Sequence, residues 1–71
     1  MDKEQVKKDY ILERCKKFVE DIYGNELNIA YLKTKDGKDS MGSEKAKEEI
    51  KNLENSIEES KKKLKFLEGL L

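Results

Sequence analysis

The sequence predicts a mainly α fold with a minor β part: two long antiparallel helices joined by a short β-hairpin, in one domain covering residues 1–71. Three observations predict it. Ala46, Ile50, Leu53, Ile57, Ser60, Leu64, Leu67 and Leu71 recur at alternating spacings of four and three, a heptad seam with one polar interruption at Ser60. Ile11, Cys15, Phe18 and Ile22 form a shorter stripe of the same kind. Between the two, an Asp36-Gly37 pair follows an alternating apolar run.

The first helix is predicted over residues 3–23. Leu12, Val19 and Tyr23 widen the Ile11–Ile22 stripe to one side, which gives a buried face of ordinary width. Val6 and Tyr10 are an i,i+4 pair turned away from Cys15, so the first ten residues read either as a solvated turn or as a second contact surface. Gly24 and Asn25 carry the signal for a helix end, since a left-handed residue there satisfies the last carbonyls.

Residues 27–41 read as the hairpin. Leu27, Ile29 and Tyr31 alternate with Asn28 and Ala30, the period of a half-buried strand. Asp36-Gly37 suits a type I′ turn, whose central residues both need positive φ. The return strand, Lys38–Met41, is short and poor in β-formers, so the pair needs support from the helices or from another chain. Gly42 then breaks the chain, and Ser43 is the expected N-cap of a second helix over 43–71. That helix is acidic early (Glu44, Glu48, Glu49) and basic late (Lys61, Lys62, Lys63, Lys65), which complements its macrodipole. It is expected to outrun the first helix by about two turns.

Composition narrows the function. A chain of 71 residues has one small core, and such a chain buries only about 60% of its unfolded surface. Disulfide, metal or association are the usual supports. With one cysteine, Cys15, and no histidine, association is the support left, with itself or with a protein partner. The 16 basic and 16 acidic residues cancel, and they cancel locally too. Nucleic-acid binding draws on a positive surplus that this chain lacks. No run approaches a membrane span, the charged start is not that of a signal peptide, and a lone thiol fits a reducing compartment, so the expectation is a cytoplasmic protein.

Two arrangements would cover the 46–71 seam. An antiparallel second copy brings Lys47 near Glu68 and Glu54 near Lys61, whereas a parallel pair opposes Glu49 to Glu54. Alternatively the chain folds back, with Ile11, Cys15, Phe18 and Ile22 against Leu53, Ile57 and Leu64. Either way the C-terminal turns are overprovided with apolar groups. Leu64, Phe66, Leu67, Leu70 and Leu71, with Val6 and Tyr10, are the candidate interaction surface.

Catalytic chemistry is missing. Cys15 has no histidine to activate it and lies in an apolar stripe, as a structural cysteine does. The paired carboxylates Glu48/Glu49 and Glu58/Glu59 read as solvated helix faces, and no glycine sits in a phosphate loop. No metal, cofactor or small-molecule substrate is implied, and the Lys61–Lys65 cluster is accounted for by the helix dipole.

In its order of elements — helix, Asp36-Gly37 hairpin, heptad helix — the chain resembles the small phage head–tail joining proteins of the gpW type. The resemblance implies a non-enzymatic connector that works by assembly in a virion; it carries over no binding residues. The expectation is thus a non-enzymatic protein–protein interaction or assembly module acting through its helical surface. The alternatives are a small inhibitor or regulator, encoded by a phage or mobile element, that docks on a host or defence protein, and a weakly nucleic-acid-associated helical dimer.

Overall fold

A computed structural model describes residues 2–71 of the chain. Among the described residues three helices follow one another: α1 (Lys3–Leu32), α2 (Lys35–Met41) and α3 (Ser43–Glu68). α1 and α3 lie side by side over most of their length, and α2 closes one end. Their direction is antiparallel. Arg14 and Phe18 share a groove with Phe66 and Leu67, while Asn28 and Leu32 share another with Glu49 and Leu53.

The expected β-hairpin is absent: among the described residues there is no strand. The first helix does not end at Gly24 but runs on to Leu32. The stripe that begins Ile11, Cys15, Phe18, Ile22 continues through Asn25, Ile29 and Leu32 without a break in its four–three alternation, and all seven are buried or half-buried. One helix period therefore explains the whole stretch. The alternation of Leu27, Ile29 and Tyr31 was only the part of that period in which two apolar residues face outward. Gly24 is exposed in mid-helix, a position that costs about 1 kcal/mol relative to alanine and is carried by the helix on both sides.

Asp36-Gly37 makes no type I′ turn, because Gly37 lacks positive φ; Gly42, at 89°, is the positive-φ glycine of the described residues. Thr34 instead caps a new helix. Its hydroxyl accepts from the Gly37 N–H at 3.1 Å and donates to the Tyr31 carbonyl at 2.6 Å. Asp36 lies in the first turn of α2, where the dipole favours it. Gly37 is buried because α2 lies on the end of α1: a Cβ there would run into the Tyr31 carbonyl oxygen. At the other end of α2, Gly42 is at once its C-cap and the N-cap of α3. Ser43 is the first helical residue of α3 and makes no cap bond.

The core is a single seam. Ile11, Ile22 and Leu32 of α1, with Ala46 and Ile57 of α3, are the buried apolar residues among those described. Cys15, Phe18, Ile29, Ile50, Leu53, Leu64 and Leu67 are half-buried around them. One polar residue interrupts each stripe, Asn25 in α1 and Ser60 in α3. Leu12 and Tyr23, expected to widen the buried face, are exposed, and Val19 is half-buried. Two helices touch along one stripe each, and these residues fall outside it. The relative lengths also invert the expectation, since α1 has 30 residues and α3 has 26.

Candidate interaction surface

The open end of the hairpin, away from α2, gathers the candidate residues. Leu64 and Leu67 lie half-buried on the seam of α3. Phe66 is 67% exposed, and Leu70 and Leu71 are exposed in the turn that follows Glu68. That turn is held by backbone bonds from the Leu70 N–H to Leu67 and from the Leu71 N–H to Glu68. Phe66 points outward because it neighbours the seam residue Leu67, about 100° round the helix.

An open groove of about 320 Å³ runs between the helices here, lined by Arg14, Phe18, Lys62, Lys63, Phe66 and Leu67. Its walls are aromatic and aliphatic, and its rim is cationic. The Arg14 guanidinium lies 5.8 Å from the centroid of the Phe18 ring, a cation–π distance. Lys62 reaches Glu59 only at 4.0 Å, with both side chains largely in solvent, so the pair contributes little. Among the described residues neither Arg14 nor Lys63 has a carboxylate partner within that distance.

Val6 and Tyr10 do not line the groove. They precede Arg14 and Phe18 at four-residue spacing and both are exposed, but each such step turns about 40° round the helix, so Val6 lies about 120° from Phe18. Leu70 stands one turn beyond Phe66. The two halves of the candidate surface share the open end of the molecule but not one groove. Sequence reasoning missed the cationic rim. The signal is the i,i+4 spacing of Arg14 and Phe18, which a stripe with Phe18 as core alone passes over. Tyr31 and Met41 also escape a hairpin reading of this stretch; they line a second groove of about 210 Å³ beside α2.

Cys15 is free and half-buried in the seam. Among the described residues no cluster of His, Cys, Asp or Glu is placed to hold a metal ion, and no helix is long and apolar enough to cross a membrane. Neither a family model, nor a curated protein, nor a solved structure matches the chain. The helix–hairpin–helix order that carried the resemblance to phage joining proteins is not the element order of this fold.

Proposed function

We propose that this chain is a non-enzymatic protein–protein interaction module, and that the open-end groove receives an amphipathic segment of another protein. The observation that carries this reading is the groove's composition. Phe18, Phe66 and Leu67 offer an apolar bed, and Arg14, Lys62 and Lys63 stand around it with positive charge. Such a site suits a helix with one large apolar anchor flanked by carboxylates, the helix-in-groove mode of recognition. Aromatic and arginine side chains supply the largest single contributions at protein interfaces. Leu70, exposed one turn beyond Phe66, lengthens the bed at its outer end.

The test is affinity capture with the full chain, compared across variants. Proteins held by the native chain are expected to be lost with Phe66→Glu and with Arg14→Glu, and kept with Glu54→Gln on the opposite flank of α3. Circular dichroism should be unchanged throughout, because each of these positions is exposed. Retention of the same proteins by Phe66→Glu sinks the groove as the binding site.

A further inference from the structure

α1 carries a second four–three stripe on a face that α3 does not cover. From Leu12, the positions Lys16, Val19, Tyr23, Glu26 and Ala30 alternate by four and three, roughly 110° round the helix from the buried seam. All are exposed except Val19, which is half-buried; Tyr23 is 62% exposed. Leu27, 72% exposed, widens the stripe on the side away from α3. The matching flank of α3 is charged (Lys47, Glu54, Glu58, Lys61, Lys65 and Glu68), so the apolar share of this face lies on α1.

This stripe is complementary to its own reverse. Turned end for end about the level of Asp21, it sets Leu12 against Ala30 of a second copy, Lys16 against Glu26, and Val19 against Tyr23. One step further out, Asp9 meets Lys33. Each apolar layer joins a larger side chain to a smaller one, and each charged layer joins opposite signs. The spacing itself is symmetric about the same point, as an isologous contact between antiparallel helices requires. A parallel in-register copy would instead oppose Lys16 to Lys16 and Glu26 to Glu26. The like pair that the antiparallel form creates, Glu20 with its symmetry mate, falls on the outer flank, where solvent and salt screen it.

We infer that two copies of this chain associate through this face of α1, antiparallel about a two-fold axis at Asp21. The open-end groove lies on the other flank, beside Arg14 and Phe66, so the dimer leaves one groove free at each end. This assignment is independent of what the groove binds.

Light scattering and sedimentation equilibrium on the full chain test it. The expected mass is twice the 8.3 kDa of one chain. Lys16→Glu and Glu26→Lys are each expected to raise the dissociation constant by about tenfold or more. The combined K16E/E26K chain is expected to return to within about threefold of the native value. Residues 16 and 26 are too far apart on one helix to pair within a chain, so recovery reports the contact between copies. Tyr23→Lys is expected to be a monomer with unchanged circular dichroism, and Phe66→Glu to remain a dimer. A native chain of single mass at millimolar concentration overturns the inference. So does a dimer indifferent to the single swaps, a combined swap that does not recover, or a dimer abolished by Phe66→Glu.

Discussion

Two glycines show how little the residue type says without its surroundings. Gly24 lies on the outside of α1, and a Cβ there meets nothing within 4 Å. Gly37 lies where α2 touches α1, and a Cβ there would stand 2.8 Å from the Leu32 Cα and closer still to the Tyr31 carbonyl. Alanine is therefore expected to act in opposite directions. Gly24→Ala should stabilise by about 1 kcal/mol, since it removes freedom from the unfolded chain and adds helix propensity. Gly37→Ala should destabilise by at least about 2 kcal/mol, because the obstacle is backbone rather than a flexible side chain. In a domain of this size each kcal/mol moves Tm by roughly 4–8 °C, so thermal melts of the two variants separate clearly. Equal shifts of the same sign would refute the placement of α2.

At the scale of elements, the two long helices end at different heights. Residues 3–17 precede Phe18 in α1, whereas only residues 64–68 of α3 follow Lys63 beside it. The first turns of α1 therefore have no neighbour from α3. Asp2 caps them by accepting from the Glu4 N–H at 3.0 Å, and Gln5 donates to Asp9 at 2.9 Å, but both bonds are exposed. Amides of residues 3–9 are expected to exchange with solvent well before those around Ile22 and Ile57, which only opening of the seam releases. Equal protection along α1 would show that something covers its start. The same contrast explains how far the sequence could be read. The seam of α3 and the Ile11–Ile22 stripe were legible because four–three spacing is a strong, repeated signal. The stretch 24–41 was not, because Gly24 and Asp36-Gly37 are local turn signals that tertiary context overrode. Thr34 supplied a competing cap, and the stripe of α1 continued through Asn25, Ile29 and Leu32. The apolar side of the open-end surface was visible in Phe66–Leu71. Its cationic rim was not, since Arg14 and Lys63 come together only when the chain folds back.

At the scale of the molecule, 71 residues are spent on a rod. The extents are 54 × 16 × 11 Å and the radius of gyration is 16.4 Å, against about 11 Å for a compact chain of this length. A slab one helix thick cannot enclose a side chain from every direction, and among the described residues no large side chain is fully buried. That is the physical reason so many apolar groups stand in solvent: the second layer that would cover them is not within the chain. Shape also governs motion through water. A radius of gyration of this size belongs to a compact globule of roughly 200 residues, so a single rod tumbles and drags as a much heavier sphere would. Its sedimentation is expected to show a frictional ratio well above that of a compact protein, and a near-spherical value would contradict the extended hairpin. A gel-filtration column calibrated with globular standards would report the lone chain as an oligomer.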